Sequence, residues 1–446
     1  FLEHNRLLAA EGWSVAPFAM RHPKNLPSEW SEYFIEELEL GSDYSFLEKA
    51  VRLPKVIYSL EARRRLSSLL AAFQPQVCHA HNIYHHLSPS ILSLLKSRHI
   101  PTVMTLHDLK VACPAYSMLT HDGVCERCRG GQLSNVIRHR CIKGSMVMSS
   151  VIYLEATLHR WLDTYRQCVS KFVVPSRFYL EKLVSWGFDR AQFEYIPNFI
   201  DTDNFRPGYE PGQHVVFVGR LSPEKGIATL ISACHDARVP LKIAGTGPQA
   251  AQLQTLANSL GADVEFLGYV SGSRLHDTIR SARVAAVPSE SYENAPLGVL
   301  EAYALGKPVI GSSVDAIAEI VQHNTTGWLF RKDDIEDLTN ALEAAVDGRE
   351  KLSAFGLAAR RFVEQHHNWP KIARGIMAKW DELRERGTCG PGRGGLRGVQ
   401  LARAHVARPG TRGQAARGLS CLRARDRERA TRRRRRRRGR RRQQAR

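Results

Sequence analysis

Apolar positions along the first 368 residues follow two alternating periods. Short runs of valine, isoleucine, alanine and phenylalanine are apolar at nearly every position, as expected of strands that are covered on both faces. Between them, apolar residues recur at i, i+3, i+4 and i+7, the period of an amphipathic helix. The predicted strands are 13–19, 75–81, 101–108, 171–176, 214–221, 241–245, 264–268, 284–289, 307–311 and 327–330, and the clearest helices are 59–73, 88–99, 228–237, 248–260 and 334–346. This alternation predicts an α/β protein with doubly wound parallel sheets.

A stretch rich in proline, glycine, asparagine and aspartate at residues 196–213 interrupts the alternation and suits an interdomain linker. We therefore expect an N-terminal domain over 1–198, a C-terminal domain over 199–368 and a final helix over 369–387. Two open α/β sheets that face each other form a cleft at the carboxyl ends of their strands, where ligands usually bind.

The net charge of +20 is concentrated at the end of the 446-residue chain. Residues 388–446 contain 21 arginines against two acidic residues, so the preceding part is nearly neutral. This tail has too few apolar residues to form a core, and we predict that it is disordered. One explanation is a basic arm that binds nucleic acid through phosphate contacts, and the other is translation in a shifted reading frame. The nearly neutral body argues against a nucleic-acid-binding protein.

Hydropathy and cysteine usage indicate the cellular compartment of the protein. No run of eighteen apolar residues is present, so no membrane-spanning helix is predicted. The cysteine count, nine, is odd, and several cysteines lie beside buried strands, which favours a reducing compartment over a disulfide framework. We expect a cytoplasmic protein. The chain starts with Phe1 inside a predicted helix, which indicates a fragment.

Two glutamates carry the first chemical signal. Glu293 and Glu301 are spaced as E-x7-E, with Glu293 in the loop before a helix and Glu301 inside that helix, roughly 12 Å apart. Pro296 suits the first turn. Between the glutamates lie the predicted free N–H groups of Leu297, Gly298 and Val299. A helix N-terminus with free N–H groups is an anion site that suits a pyrophosphate. The alternative is two solvated glutamates on a helix surface.

Two cations carry the second signal. In VVFVGRLSPEKG, Arg220 leaves a strand and Lys225 is predicted at a helix start, where its charge opposes the helix dipole. A bound diphosphate would remove that conflict, and two cations would stabilise the charge that develops as a glycosidic bond to phosphate breaks. The alternative is a solvated lysine.

Over residues 1 to about 386 the sequence resembles retaining glycosyltransferase family 4, most specifically in GRLSPEKG and E-x7-E. The resemblance implies the two-domain glycosyltransferase-B fold and transfer from a nucleotide-diphosphate sugar without a metal. It implies that Glu293 contacts the donor sugar, that Glu301 holds the ribose, and that Arg220 and Lys225 hold the diphosphate. It places further donor-side residues at Asn294, Gly245, Gly247, Tyr269 and Val270.

In the N-terminal domain, the resemblance assigns His107 to the donor sugar, and we expect His81 and Asn82 on the acceptor side. A strand-end histidine bonded to backbone is the alternative for His107. The family's first strand and glycine-rich loop are missing here, so we expect an incomplete N-terminal sheet. The predicted role is assembly of surface polysaccharide or glycoconjugate on a carbohydrate or lipid-linked acceptor. A sugar-nucleotide epimerase or a phosphorylase is the alternative enzyme.

Four cysteines form a separate pattern, C-x11-C-x2-C-x12-C, at Cys113, Cys125, Cys128 and Cys141. The pattern suits a tetrahedral structural zinc, while free structural thiols and disulfides are the alternatives. The segment that follows, up to residue 161, places basic residues beside an apolar, partly helical stretch. It suits either docking on an anionic membrane, at its inner face, or a core helix with a solvated basic flank.

Overall fold

Two six-stranded parallel sheets form the framework of the protein. The computed structural model describes residues 2–37, 54–120, 123–387 and 397–402. Its strands are β1 (Ser14–Phe18), β2 (Val77–His81), β3 (Thr102–Thr105), β4 (Leu119–Thr120), β5 (Gly123–Val124), β6 (Lys171–Val174), β7 (Phe193–Tyr195), β8 (Val215–Val218), β9 (Leu241–Ala244), β10 (Val264–Gly268), β11 (Val284–Val287), β12 (Val309–Ser312), β13 (Gly327–Phe330) and β14 (Arg397–Ala402). All ten predicted strands are present, which confirms the α/β class.

Helices cover the sheets. They are α1 (Leu2–Ala10), α2 (Leu60–Phe73), α3 (Tyr84–Leu87), α4 (Ser90–Ser97), α5 (Asn135–Arg138), α6 (Met146–Trp161), α7 (Thr164–Cys168), α8 (Arg177–Ser185), α9 (Ile227–Asp236), α10 (Ala250–Leu260), α11 (Gly272–Arg280), α12 (Leu297–Ala304), α13 (Asp315–Ile320), α14 (Ile335–Asp347), α15 (Arg349–His366) and α16 (Trp369–Gly387). The described helices include none that is both long and apolar enough to cross a membrane.

Each sheet has its own strand order and its own core. The N-terminal sheet runs β1-β14-β2-β3-β6-β7 and the C-terminal sheet runs β10-β9-β8-β11-β12-β13. The strands within each sheet are parallel, and β4 and β5 form a separate antiparallel hairpin. The chain passes from one sheet to the other between Tyr195 and Val215, within the predicted linker. Parallel strands point their carboxyl ends to one edge, so each sheet presents its loops there.

The strand β14 corrects the prediction for the tail. It lies between β1 and β2, the position that the resemblance leaves without a strand, and Val399 pairs with Ala16 on one side and Cys78 on the other. Val399 and Leu401 are fully buried in the core. The prediction of disorder is therefore wrong for residues 397–402. Composition averaged over the whole tail hides a six-residue strand, and the rest of the tail lies outside the described residues.

The helix α16 packs against the N-terminal sheet rather than the C-terminal one. Its Trp380 is fully buried and meets the Trp13 ring edge-on, with centroids 5.1 Å apart. A Cβ at Gly398 would lie 2.9 Å from the Trp380 ring, so the glycine allows the strand to approach the helix. The two C-terminal elements, α16 and β14, therefore complete the N-terminal core.

We predict that β14 determines the stability of the N-terminal domain. A chain that ends at residue 387 lacks β14. The neighbouring strands β1 and β2 then lose their ladder hydrogen bonds to it, and buried backbone groups are left without partners, at about 1–3 kcal/mol each. Against a typical domain stability of about 5–15 kcal/mol, that loss should unfold the domain or make it protease-sensitive. Limited proteolysis followed by mass spectrometry measures this.

A chain that ends at residue 402 keeps the strand and is the matched control. In the full chain, Val399→Asp should reproduce the defect, because it buries a charge. Equal protease resistance of residues 1–198 in all four proteins would show that β14 does not support this domain.

Candidate active site

The loop between β11 and α12 holds Glu293 in a fixed position. The Glu293 carboxylate accepts hydrogen bonds from Lys225 Nζ at 2.5 Å and from Ser289 Oγ at 2.6 Å. Its side chain is only 13% exposed. The interpretation as a solvated surface glutamate is therefore wrong for Glu293, because a cation and a hydroxyl orient its carboxylate.

The next residue joins the two domains. Asn294 donates from Nδ2 to the carbonyl of Leu106 at 2.9 Å, and its Oδ1 accepts from Ser176 Oγ at 3.3 Å. Leu106 directly precedes His107 at the end of β3, so the contact brings the Glu293 loop to the strand end that carries His107. The candidate site is thus built from both sheets.

A strained residue shapes the start of α12. Ala295 is buried and has φ of 80°, in the region that L-residues rarely adopt. Asn198 holds this peptide by donating from Nδ2 to the Ala295 carbonyl at 3.0 Å. Strain of this kind costs on the order of 1–3 kcal/mol and persists only where surrounding contacts fix it.

The start of α12 matches the predicted geometry only in part. Leu297 and Gly298 have N–H groups with no acceptor among the described residues, but the Val299 N–H donates to the carbonyl of Pro296 at 3.1 Å. The prediction of three free groups is therefore wrong for Val299, since the first turn tightens to an i→i−3 bond. A Cβ placed on Gly298 would meet no atom within 4 Å. Two N–H groups therefore remain available, and Glu301 lies partly exposed in the next turn.

The Lys225 side chain has a different environment from the one predicted. A 3₁₀ turn over Pro223–Lys225 precedes α9, so Lys225 does not occupy the helix start itself. Its charge is paired with Glu293, which removes the expected dipole conflict without a ligand. A Cβ on Gly226 would lie 2.0 Å from the Pro288 carbonyl, so this glycine allows the turn to pack on the Glu293 loop. Arg220, by contrast, is exposed.

The remaining donor-side residues lie in the loops after β9 and β10. Leu221 donates its N–H to Thr246 at 3.0 Å, and a Cβ on Gly247 would lie 2.2 Å from the Leu221 carbonyl. Gly245 is packed in the same way against the backbone of Gly219. The loops after β8 and β9 therefore lie side by side. In the loop after β10, Tyr269 is exposed and Val270 is buried.

The histidine predicted to face the donor sugar does not bond to backbone as the alternative proposed. His107 Nε2 and His81 Nδ1 share a hydrogen bond of 3.1 Å. His81 also belongs to a group with His4 and His79 whose ligand nitrogens all lie within 4.8 Å, and no other described group of three or more His, Cys, Asp or Glu side chains meets that spacing. Asn82, beside it, is exposed. Sequence analysis missed His4 and His79, although His-x-His at a strand end places both side chains on one face.

Each buried imidazole of this group has a polar partner. His4 contacts Gln400 at 3.1 Å, and His79 contacts Thr105 at 2.8 Å. Burial lowers the pKa of His4 to about 3 and lowers the pKa of His79 and of His81 well below the usual value. Burial therefore favours the neutral form of these three imidazoles.

The four motif cysteines are brought together between β3 and α6. They line one small cavity of about 10 Å³, together with His139 and Trp186. None is in a disulfide, which excludes that alternative for the described chain. Burial and the neighbouring Cys113, Cys141 and Cys125 raise the pKa of the Cys128 thiol to about 12.

The helix α6 has one buried face and one exposed face. One face is buried, and there Glu155 forms an ion pair with Lys110 at 2.7 Å. The opposite face exposes apolar side chains, which are Met146, Val147, Leu154 and Trp161. Exposed basic residues flank it, namely Arg138, Arg140, Lys143 and Arg160.

Two family models match adjoining parts of the chain. The model of Glycosyltransferase Family 4 matches residues 2–204, and that of Glycosyl transferases group 1 matches residues 201–362. Together they cover well over half of the chain. The chain belongs to glycosyltransferase family 4.

Curated relatives of this family 4 chain include transferases of several sugars. A GDP-mannose-dependent α-(1-6)-phosphatidylinositol monomannoside mannosyltransferase from Mycobacterium tuberculosis is 33% identical over 41% of this chain and 54% of its own length. The sulfoquinovosyl transferase of Arabidopsis thaliana is 27% identical over 70% of this chain and 58% of its own length. The chain spans about half the length of the curated relatives it matches.

Solved structures show the same fold. Sucrose-phosphate synthase from Thermosynechococcus elongatus superposes with a TM-score of 0.63 at 21% identity, over 86% of this chain and 92% of that one. The Anabaena protein HepE, in complex with UDP, gives a TM-score of 0.55 at 16% identity, over 72% and 82% of the two chains. The architecture is that of the glycosyltransferase-B fold.

The candidate anion site at the start of α12 gives a binding prediction. Arg220→Ala should weaken binding of a nucleoside diphosphate by about 1.5–3 kcal/mol, the value of one charge-assisted contact. Lys225→Ala should cost more, because it also leaves Glu293 without its cation beside the diphosphate. Titration calorimetry with UDP, GDP and ADP measures both.

The control is Arg238→Ala, an exposed cation beyond the end of α9. It should bind the preferred diphosphate like the parent. Parent-like affinity of both site variants for all three diphosphates would refute the anion site.

Proposed function

We propose that the chain transfers a sugar from a nucleotide-diphosphate sugar to a carbohydrate or lipid-linked acceptor, with retention of the anomeric configuration. The observation that carries the proposal is the position of Glu293. Its carboxylate is oriented by Lys225 and Ser289 immediately before a helix N-terminus with two available N–H groups. A carboxylate for sugar hydroxyls and an anion site for phosphates are thereby adjacent.

The binding site supplies enough positive charge to hold a diphosphate without a divalent cation. The N–H groups of Leu297 and Gly298 donate to one phosphate, and the helix dipole favours its charge. Arg220 and Lys225 approach from the loop after β8 and stabilise the negative charge that grows on the departing diphosphate. Glu301, in the second turn of α12, is placed to accept hydrogen bonds from the ribose.

The transferred sugar is placed between the domains. Glu293 contacts its hydroxyls from one side, and His107 lies at the strand end that Asn294 joins to the Glu293 loop. A site that includes both sheets is complete only when the domains are held together. Closure therefore positions the sugar and excludes water from the reacting carbon.

The acceptor class is supported by the relatives and by the surface of α6. One relative is named for a phosphatidylinositol mannoside acceptor, and a lipid-linked acceptor lies at a membrane. The exposed apolar face of α6 with its basic flanks is suited to contact anionic lipid at the cytoplasmic face. We propose that the enzyme assembles surface polysaccharide or glycolipid there.

Glu293→Gln tests the reaction. Because the amide keeps the shape but loses the charge, the fold should be retained while donor turnover falls by at least about a hundredfold, the typical effect of one transition-state contact. A thermal-shift screen with UDP-, GDP- and ADP-sugars first identifies the donor. Release of nucleoside diphosphate from it then measures turnover, and NMR of the product anomer measures retention.

Glu290→Gln is the matched control, since Glu290 lies in the same loop but accepts from Thr229 Oγ1 at 3.1 Å, away from Lys225. It should turn over the donor like the parent. Turnover of Glu293→Gln within about twofold of the parent would exclude this proposal. So small a change in rate is well below the effect of losing one transition-state contact.

The surface of α6 gives a second prediction. Replacing Val147 and Leu154 by aspartate should reduce sedimentation with vesicles that contain phosphatidylglycerol by at least about tenfold, because apolar contact is lost and charge repulsion is added. Glu181→Asp, on an exposed position of α8, is the control. Equal sedimentation of all three proteins would contradict a membrane-facing role for α6.

A further inference from the structure

The four cysteines come from separate elements that have little core of their own. Cys113 follows β3, Cys125 and Cys128 follow the β4–β5 hairpin, and Cys141 follows α5. Backbone bonds set the turn between the central pair, where Cys125 donates to the Met118 carbonyl at 2.8 Å. Asn135 ties the same turn to α5 by donating from Nδ2 to the Arg127 carbonyl at 2.6 Å.

The chemistry of the cavity favours a soft, four-coordinate cation. The cavity has about the volume of one small atom or water, and all four cysteines contribute to its wall. Thiolates select Zn²⁺ among abundant cations, and a set of four gives its closed structural site. No three of the four sulfurs lie within 4.8 Å of one another, whereas tetrahedral Zn–S bonds of about 2.3 Å place sulfurs roughly 3.8 Å apart. The site therefore requires the cysteine side chains to rotate about χ1 and bring the sulfurs together when the metal binds.

The cysteine turn also reaches the other domain. Glu126 lies between Cys125 and Cys128, and its Oε1 accepts from Lys182 Nζ at 2.6 Å and from the Tyr292 hydroxyl at 2.7 Å. Lys182 also donates to the Tyr292 hydroxyl at 3.1 Å and lies over its ring. Tyr292 directly precedes Glu293. The turn therefore holds the loop that carries the candidate sugar-binding carboxylate.

We propose that Zn²⁺ bound by Cys113, Cys125, Cys128 and Cys141 fixes this turn, and that Glu126 thereby anchors the Tyr292–Glu293 loop across the domain interface. The metal is structural and takes no part in the reaction. Binding replaces the thiol protons by four Zn–S bonds and releases those protons to solvent. The metal site and its hold on the Tyr292–Glu293 loop do not depend on the proposed transfer, whereas the importance of that loop for catalysis rests on it.

The metal is tested by elemental analysis of the full chain purified without added metal. We expect about one zinc per chain, and Cys128→Ser should reduce this to less than about a tenth of an equivalent. Cys168→Ser, on α7 outside the cavity, should keep the metal. If Cys128→Ser fails to fold, titration of the chelator-treated parent with Co²⁺ replaces it, and the absorption of tetrahedral cobalt-thiolate is expected. Less than about a tenth of an equivalent of zinc in the parent, with no cobalt-thiolate absorption, overturns the site.

The anchor is tested by hydrogen exchange of residues 288–296, which needs no substrate. Removal of zinc from the parent, and separately Glu126→Gln or Tyr292→Phe, should raise exchange there by about tenfold, because the local opening becomes easier. Both substitutions should retain zinc, and Glu181→Gln, an exposed carboxylate paired with Arg190, should change neither quantity. Unchanged exchange after zinc loss overturns the anchor. These readouts remain informative even if the protein transfers no sugar.

Discussion

The contact between Asn294 and the carbonyl of Leu106 is the constraint on which the candidate site depends. Each sheet alone presents an ordinary row of loops at its carboxyl edge. The Asn294 contact brings the Glu293 loop of one sheet to the His107 end of the other. Because the amide donates to a main-chain carbonyl, the contact fixes position without depending on the side chain at residue 106. The site is therefore a property of the domain arrangement and of both cores together.

In the same loop, the backbone conformation matters as much as the residue types for the geometry of the candidate site. Ala295 is held at positive φ by Asn198, which belongs to the linker between the domains. That strain turns the chain so that α12 starts with two N–H groups available beside Glu293. The linker thus acts on the anion site directly.

Sequence patterns predicted the strands well because a strand buried on both faces needs a continuous apolar run, which few other structures produce. They placed Glu293 correctly in the loop before its helix, but put Lys225 at a helix start rather than in the 3₁₀ turn before it. They did not predict the pairing of these two residues, which are 68 positions apart. They missed β14, since Val399 and Leu401 are isolated apolar residues in an arginine-rich tail. The Val299 N–H was misjudged for a local reason. The first turn of α12 tightens under the strain at Ala295, and propensity does not report such geometry.

The N-terminal domain contains long loops, yet the candidate site requires side chains in fixed positions. Buried polar contacts hold these loops in place. The described residues between β3 and β6 include no strand of the main sheet, yet this segment bears Glu126 and α6. Lys110 and Glu155 fasten it through a buried ion pair. Removing one partner would leave an uncompensated charge, so this contact specifies one arrangement even where its net stabilisation is small. A metal at the cysteines would act in the same way on the part of the segment between residues 113 and 141. Glu293 is therefore positioned through its two neighbours, Tyr292 and Asn294, which are hydrogen-bonded to Glu126 and to the Leu106 carbonyl of the N-terminal domain.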